Sequence, residues 1–355
     1  MHDQTIAVRP GEDFDREAVR RYLVTHLEEV PDNEPMEVRQ FPTGASNLTY
    51  LLKIGDWEAV LRRPPFGPLP PKAHDMKRES EFLKRLHPYF PLVPKPYLFC
   101  DDESVIGAPF YVMERKSGVV VDQQFPPGVS VDEAVCRRIS EVLVDTLVQL
   151  HQVDYQEAGL ASFGRPEGFL KRQVEGWIMR YERAKTDDIP AVESVSKWLL
   201  DHLPPSRETT IVHNDFKLNN MLLAPDLSRV TAVLDWEMST IGDPLFDLGV
   251  TLGYWVLHDD PELLKLTILS PITTTPGFLS REEFIQRYAE KSGRDVENID
   301  YYLTFAYFKL AVVIQQIYYR WKAGQTQDPR FRDFGQRVRR LMEYAAQRIA
   351  EGGHP

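Results

Sequence analysis

The chain is poor in cysteine and in basic charge. Only two cysteines, Cys100 and Cys136, occur in 355 residues, and neither has a Cys or His neighbour at metal-ligand spacing. Two isolated thiols are too few for a disulfide scaffold and are typical of a reducing cytoplasm. The 42 basic residues against 53 acidic ones leave a net charge of −11. This balance argues against a nucleic-acid partner, because proteins that bind nucleic acid present a basic face.

Long hydrophobic runs are also lacking. The most apolar late segment, residues 303–319, carries Lys309, Gln315 and Gln316 and is short for a membrane-spanning helix. Residues 1–4 lack the basic and apolar regions of a signal peptide. We therefore expect a cytoplasmic protein without a membrane partner. A hydrophobic content of 43% in a chain of this length predicts two lobes with a sizeable core.

What the chain does contain is a pair of polar loops, each following a short apolar strand. The polar residues of the two loops are His213, Asp215, Lys217 and Asn220 in the first, and Asp235 and Glu237 in the second. The spacing His-x-Asp-x-x-x-x-Asn is that of a kinase catalytic loop. Phosphoryl transfer needs such groups, because a carboxylate orients the acceptor and further oxygens hold magnesium. A chance triplet is the alternative, and the second strand, ending in Asp235, argues against it.

Glycine is sparse in the turn where a loop over nucleotide phosphates is expected. Residues 36–41 alternate like a strand, residues 48–54 are predicted to return as a second strand, and the turn between them contains Gly44, Ser46 and Asn47. Only Gly44 lets the backbone come close to a phosphate, with Ser46 and Asn47 as possible donors. A protein kinase has three glycines in this loop. An ordinary hairpin is therefore an equally good interpretation.

Arg62 is the candidate phosphate-binding cation of the next predicted strand, residues 57–63. The segment Ala-Val-Leu-Arg matches the kinase pattern Val-Ala-Ile-Lys, except that arginine replaces lysine. Arg63 is the competing candidate, but successive side chains of a strand point to opposite faces. Two solvated arginines are the alternative.

Glu79 is the predicted partner of Arg62. Residues 74–86 have the periodicity of an amphipathic helix, and Glu79 falls on the same side as the apolar Met76 and Leu83. A charged residue within a buried stripe needs a partner of opposite charge. Arg62 on the preceding strand is the natural one, and a glutamate at the rim of the stripe is the alternative.

The order of elements predicts an α+β chain. Two further strands complete a five-stranded sheet with one helix, and the polar segment after Glu114 fits a hinge whose backbone meets an adenine edge. We place a nucleotide-binding lobe at residues 1–117, of which 1–35 form a helix and linker. Residues 118–355 are predicted to form a mostly helical catalytic and substrate lobe.

In these motifs the chain resembles the aminoglycoside phosphotransferase family, most closely the branch whose domains occur beside acyl-CoA dehydrogenases. The resemblance covers roughly residues 36–320. It is carried by Thr-Gly-Ala-Ser-Asn at 43–47, by the segment 212–220, and by Asp-Trp-Glu at 235–237 with Gly-Asp-Pro-Leu-Phe-Asp-Leu at 242–248. It implies a protein-kinase-like two-lobe fold that binds ATP.

The resemblance also implies roles for single residues. Asp215 would be the catalytic base. Lys217, two residues later, can reach the transferring phosphoryl group as a point charge, and His213 is the third candidate catalytic residue. Asn220 and Asp235 would hold Mg²⁺, and Asp247 would brace the loop by accepting backbone hydrogen bonds. The implied role of Glu237 is a further metal contact, as in related choline kinases, and a surface glutamate is the alternative.

The sequence thus predicts an ATP- and Mg²⁺-dependent transfer of the γ-phosphoryl group to a hydroxyl of a small molecule. A nucleotide-binding module without catalysis is the main alternative, because arginine replaces the usual lysine. A protein kinase is less favoured, since no activation loop fits between Asp235 and Asp243. An aminoglycoside, a hydroxyacyl compound, a choline-like compound and a sugar all remain open as acceptor. Residues 165–183 and 255–262 are expected to line its pocket. Asp259 and Asp260 are expected to lie in a solvated loop, and contact with a cation is the alternative.

Overall fold

The computed structural model describes residues 5–42, 47–66, 74–265 and 272–352. The chain divides into two compact units. The smaller unit comprises Met1–Ser117 together with Thr231–Glu237, and the larger unit comprises Gly118–Val230 and Met238–Pro355. The segment that carries Asp235 and Glu237 therefore belongs to the smaller unit, although it lies far along the chain.

The smaller unit is built on a five-stranded antiparallel sheet. Its strands, in the spatial order β1-β2-β3-β5-β4, are β1 (Met36–Gln40), β2 (Leu48–Ile54), β3 (Trp57–Arg63), β4 (Pro96–Cys100) and β5 (Phe110–Glu114). The helices are α1 (Arg16–His26), α2 (Met76–Leu86) and the short α3 (Glu103–Ile106). α2 packs against β4 and β5, and α1 packs against β1 and α3.

The hairpin of β2 and β3 places the arginines as the sequence predicts. Gly55 has a positive φ of 57° in the turn, which favours glycine, and the strands pair from Ile54–Trp57 to Leu48–Arg63. Strand alternation puts Arg62 and Arg63 on opposite faces. Arg63 is buried and donates to the Ile106 carbonyl at 3.2 Å.

The larger unit is mostly helical. Its helices are α4 (Glu133–Gln152), α5 (Phe169–Ala184), α6 (Pro190–Asp201), α7 (Pro244–Tyr254), α8 (Glu262–Lys265), α9 (Arg281–Ser292), α10 (Ile299–Lys322) and α11 (Phe334–Ala350). Three short strands belong to it, β6 (Thr210–Val212), β7 (Met221–Leu223) and β9 (Thr240–Gly242), and β8 (Val230–Val233) leads out of it. β6 and β9 pair antiparallel, and α10 packs against α5, α6, α7 and α11.

α10 is the most buried of the long helices among the described residues, because apolar side chains occupy nearly every face of its first four turns. Even so, no described helix combines the length and the apolar character needed to cross a bilayer. The strands β7 and β9 and the helices α3 and α8 did not emerge from the sequence. Each has three or four residues, too few to show a period.

Candidate active site

Asp215 lies in the loop that follows β6 in the larger unit. Its Oδ2 accepts a hydrogen bond from Asn220 Nδ2 and pairs with Lys217 Nζ, each at 2.9 Å. Asn220 Nδ2 also donates to the Asp215 carbonyl at 2.9 Å. The Asp215 side chain keeps an exposed fraction of 20%. The loop thus brings together a carboxylate, a cation and a carboxamide that the sequence had singled out.

Asp247, in the first turn of α7, holds the backbone of this loop. Its two carboxylate oxygens accept the N–H groups of His213 and Asn214 at 2.5 and 2.7 Å. Burial raises the pKa of Asp247, but hydrogen bonds from the His151 ring and the His213 backbone N–H help to outweigh it and leave the pKa lowered. The carboxylate therefore stays charged and forms strong hydrogen bonds to the loop.

A buried chain of hydrogen bonds extends from Asp247 to α9. His151 Nε2 lies 3.4 Å from Asp247 Oδ2, and His151 Nδ1 lies 2.7 Å from the Tyr288 hydroxyl. Burial lowers the pKa of His151, so the imidazole is neutral. The Tyr288 O–H then donates to Nδ1, and the Nε2–H group faces Asp247. His151 therefore supports Asp247 from the last turn of α4.

His213 is fully buried beside the loop. Its Nδ1 accepts the backbone N–H of Asp215 at 3.2 Å. Thr251 on α7 adds a hydrogen bond from its hydroxyl to the Phe216 carbonyl at 2.8 Å. The side chain of His213 therefore shapes the turn that leads into Asp215.

Tyr254 is a neighbour of Asp215 that sequence reasoning missed. Its hydroxyl hydrogen-bonds to Asp215, and Lys217 Nζ lies 4.8 Å from the centroid of its ring. Burial raises the pKa of Tyr254 to about 12, which keeps the phenol protonated and able to donate. A signal was available, because Tyr254 follows Asp247 by seven residues and so shares its face of α7.

Arg62 is the centre of an ion-pair network in the smaller unit. Its Nε lies 3.3 Å from Glu79 Oε1, and its Nη2 lies 2.8 Å from Asp235 Oδ1 and 3.2 Å from Glu237 Oε2. The side chains of Arg62 and Glu79 are 12% and 4% exposed. The predicted pairing with Glu79 is confirmed. The alternative of two solvated arginines is wrong, because Arg63 is buried too.

Burial controls the electrostatics of this network. It raises the pKa of Glu79 against the opposing attraction of Arg62. It also lowers the pKa of Arg62, but Glu79 and the other nearby acidic groups outweigh that effect and raise the pKa. Tyr111 hydrogen-bonds to Glu79 with a pKa held well above its usual value by burial. One guanidinium therefore lies within ion-pair distance of three carboxyl groups.

Asp235 and Glu237 flank an anchoring residue, Trp236. The indole is buried, its Nε1 donates to the Val233 carbonyl at 2.8 Å, and its ring lies 6.1 Å from that of Phe82. Asp235 has a φ of 66°, which is uncommon for a residue with a Cβ. The tryptophan fixes this irregular segment, so that the carboxylates on either side both reach Arg62.

Asn47 supports Glu237 in this structure. Its Nδ2 donates to Glu237 Oε2 at 2.8 Å, and its Oδ1 lies 2.8 Å from His74 Nδ1. Burial lowers the pKa of His74, with the charge of Arg62 acting in the same direction. The other two residues of the predicted phosphate loop, Gly44 and Ser46, lie outside the described residues.

Glu114 is the last residue of β5, and its carboxylate contacts two lysines. Its Oε2 accepts the Lys95 N–H at 3.1 Å and pairs with Lys116 Nζ at 2.9 Å. A nucleotide contact at this position would therefore use the backbone, as the sequence prediction specified.

The Mg²⁺ ligands that the sequence predicts lie in both units, Asn220 in the larger one and Asp235 and Glu237 in the smaller one. Asn220 Nδ2 donates to Asp215, and Asn220 Oδ1 accepts no hydrogen bond among the described residues. Carboxylate and amide oxygens are the ligands that Mg²⁺ prefers. Within the described ranges, no group of three or more His, Cys, Asp or Glu side chains forms a metal cluster. The donor types fit Mg²⁺ in chemistry.

Asp260 corrects one sequence expectation. The sequence predicts a solvated loop around Asp260, but Asp260 forms a buried ion pair with Arg281. Arg281 Nη1 and Nη2 donate to the two carboxylate oxygens of Asp260 at 2.7 and 2.6 Å. The two side chains are only 8% and 6% exposed. Because Arg281 lies 21 residues further along the chain, the sequence around Asp260 gave no sign of this partner.

A polar cavity of about 310 Å³ opens in the larger unit. Its lining includes Phe163, Arg165, Arg172, Gln173 and Thr240. Three of these residues lie in the segment 165–183 that the sequence assigned to an acceptor pocket.

A sequence model of the phosphotransferase enzyme family matches residues 37–274 of the chain. Among curated proteins, acyl-CoA dehydrogenase family member 11 of Gallus gallus is 36% identical over 344 residues. The match covers 96% of this chain and 44% of that protein. The chain spans about a third to under half of the length of the curated relatives it matches.

Solved structures share the fold. A candidate aminoglycoside phosphotransferase of Ralstonia eutropha is 32% identical, with a TM-score of 0.81, and the match covers 96% of this chain and 99% of that one. A thermostable mutant of aminoglycoside phosphotransferase APH(4)-Ia, in a ternary complex with AMP-PNP and hygromycin B, is 15% identical with a TM-score of 0.58. That match covers 93% and 98% of the two chains. The predicted kinase-like two-lobe fold is confirmed.

Proposed function

Because this chain belongs to the phosphotransferase enzyme family, we propose that it transfers the γ-phosphoryl group of ATP to a hydroxyl of a small molecule. The observation that carries the proposal is the set of contacts around Asp215. A carboxylate that is partly exposed, held by a carboxamide and paired with Lys217 is suited to orient and deprotonate an acceptor hydroxyl. The structural relative that holds AMP-PNP and hygromycin B supports a nucleotide and a small acceptor.

The residues take the following roles in this proposal. Asp215 accepts the proton of the hydroxyl, and Lys217 offers its charge to the phosphoryl group in transfer. Arg62 binds the nucleotide phosphates, and His213 positions the loop. The tetrahedral phosphate carries several negative charges, so positioning and charge stabilisation supply most of the catalysis.

In this proposal Asn220 and Asp235 would hold magnesium, and Glu237 would add a further metal contact. Mg²⁺ supplies charge neutralisation on the phosphate oxygens when it is bound. The amide nitrogen of Asn220 also restrains Asp215 through two hydrogen bonds. In the proposal the same side chain would bind the metal through its oxygen and orient the base through its nitrogen. This dual use explains why the spacing of five residues matters.

The test is Asp215→Asn, which keeps the size of the side chain and removes the base. A screen of ADP release across hydroxylated metabolites, with aminoglycosides and acyl-CoA compounds included, first identifies an acceptor for the wild type. We then expect kcat to fall by about 10²- to 10⁴-fold. Asp226→Asn, on an exposed turn of the same unit, serves as the matched control and should leave kcat unchanged. Near-normal turnover of D215N would refute the role of Asp215.

A nucleotide-binding module without catalysis is the second candidate. The observation behind it is Arg62, which replaces the expected lysine and is engaged by three carboxylates. Calorimetric titration with ATP and Mg²⁺, combined with the ADP-release screen, separates the two functions. Affinity for ATP without turnover on any acceptor would favour the module.

A further inference from the structure

Lys309 is a buried cation in the middle of α10. Lys309 is only 6% exposed, and its Nζ donates a hydrogen bond to the carbonyl of Asn214. It forms no ion pair with any residue that the structure describes. Burying an ammonium group without a carboxylate costs free energy, so the fold keeps this lysine for an interaction that an apolar side chain could not make.

Aromatic rings make the buried charge tolerable. Nζ lies 5.5 Å from the centroid of Trp177 and 5.6 Å from that of Phe246, and ring faces attract cations at such distances. Burial lowers the pKa of Lys309 to about 8, while Asp215 and Asp247 oppose this shift. The ammonium therefore remains largely charged at neutral pH.

Asn214, the residue that Lys309 contacts, is held by hydrogen bonds on several sides. Its φ is 74°, in the left-handed region that asparagine adopts more readily than most residues with a Cβ. Asp247 accepts its N–H at 2.7 Å, and its Nδ2 donates to the Met238 carbonyl at 2.9 Å. Its carbonyl belongs to the peptide group that leads into Asp215, and Lys309 is the residue that holds that carbonyl.

We propose that Lys309 is a positioning residue of the phosphoryl-transfer reaction, whose ammonium group clamps the Asn214 carbonyl and so fixes the direction of the Asp215 side chain. Asp247 holds one side of the Asn214 residue and Lys309 holds the other. The kinetic consequence rests on the function proposed above, whereas the clamp is a property of the larger unit alone.

The test compares three variants of the full chain. Lys309→Met removes the cation and keeps an apolar side chain of similar length, and Lys309→Arg restores a donor. Lys322→Met is the matched control, because Lys322 is the last residue of the same helix and is about two-fifths exposed. For each variant we measure hydrogen exchange of the segment 211–220 by mass spectrometry, together with kcat and the KM for ATP.

In K309M we expect at least tenfold faster exchange in the loop and a kcat lower by about 10- to 100-fold, as for other losses of positioning. The KM for ATP should stay within about twofold, since nucleotide affinity does not depend on the direction of Asp215. K309R should recover a substantial part of both losses, and K322M should match the wild type. Equal exchange in K309M and wild type, or a K309R as impaired as K309M, would overturn the proposal.

The two readouts separate this inference from the function itself. If the wild type transfers phosphate to no acceptor, the proposed function fails, and loop exchange still decides the clamp. If K309M does not fold by circular dichroism, K309R decides alone. Exchange within about threefold of wild type would then support the clamp, and tenfold faster exchange would contradict it.

Discussion

The two units hold their acidic residues in opposite ways. In the smaller unit, Asp235 is restrained through its side chain, which pairs with Arg62 in a network of charges. In the larger unit, Asp215 lies in a loop whose backbone is restrained by buried groups, with N–H groups bound to Asp247 and a carbonyl bound to Lys309. Each site includes a residue with positive φ, Asp235 in one and Asn214 in the other.

Side-chain ion pairs suit the binding of a charged ligand, whereas hydrogen bonds to the backbone suit the positioning of a loop. A guanidinium that pairs with carboxylates can exchange them for phosphates, because all these contacts are between charged side chains. Hydrogen bonds to peptide groups have no such alternative partner, so they fix one conformation of the loop. We therefore expect changes in the smaller unit to alter nucleotide affinity and stability, and changes in the larger unit to alter kcat.

The largest effect is expected from Asp247→Asn. The amide offers N–H groups where the loop needs an acceptor, so one backbone N–H of His213 or Asn214 loses its bond. We expect kcat to fall by about 10³-fold or more, from loss of the oriented base, and the free energy of unfolding to fall by about 3 kcal/mol. Steady-state kinetics and urea unfolding measure the two effects.

Asp243→Asn is the control for that prediction. Asp243 caps the same helix, accepting the Leu245 N–H at 2.9 Å and the Tyr302 O–H at 2.7 Å. Asparagine is also a good N-cap, so this variant should keep kcat within about threefold. If D243N lost as much activity as D247N, general damage to α7 would explain both results and the special role of Asp247 would be lost.

Arg62→Met should destabilise the smaller unit by about 3–5 kcal/mol, because it leaves the buried Glu79 carboxylate without compensation. Arg63→Met, one position along β3, is the matched control. It removes a buried arginine that donates to the carbonyls of Pro64 and Ile106 and should cost about 1–2 kcal/mol. Urea unfolding at pH 7.5 gives both values. Adding Glu79→Gln to R62M should restore part of the lost free energy of unfolding. A double variant less stable than R62M would contradict the explanation.

The smallest effect is a pair of opposite pH dependences. Burial raises the pKa of Glu79, so its contribution to stability grows as the pH falls towards the unfolded value. Burial lowers the pKa of His151, so its contribution is present above about pH 6.5, the unfolded value, and is lost as the pH falls below it. Urea unfolding between pH 5 and 7.5, with Glu79→Gln and His151→Gln as references, should give slopes of opposite sign. Neither slope should exceed about 1.4 kcal/mol per pH unit, and parallel slopes would contradict the prediction.

Much of the smaller unit could be predicted from local pattern. The strands at 48–54 and 57–63 have the predicted bounds, because apolar and β-branched residues predominate in both segments and Gly55-Asp56 marks the turn between them. The pairing of Arg62 with Glu79 followed from one charge inside an apolar helix stripe. Its extension to Asp235 and Glu237 did not, because these residues lie more than 170 positions further along the chain.

In the larger unit the sequence alone determined the chemical identity of the site, since the spacing of Asp215, Lys217 and Asn220 is local to one loop. Tertiary structure decided what holds that loop. Tyr254 and Lys309 come from helices packed against it, and the sequence around each reads as ordinary apolar helix. Spacing along the sequence reveals groups that lie close together in one loop. A contact between distant helices forms only after the chain has folded and buried both partners.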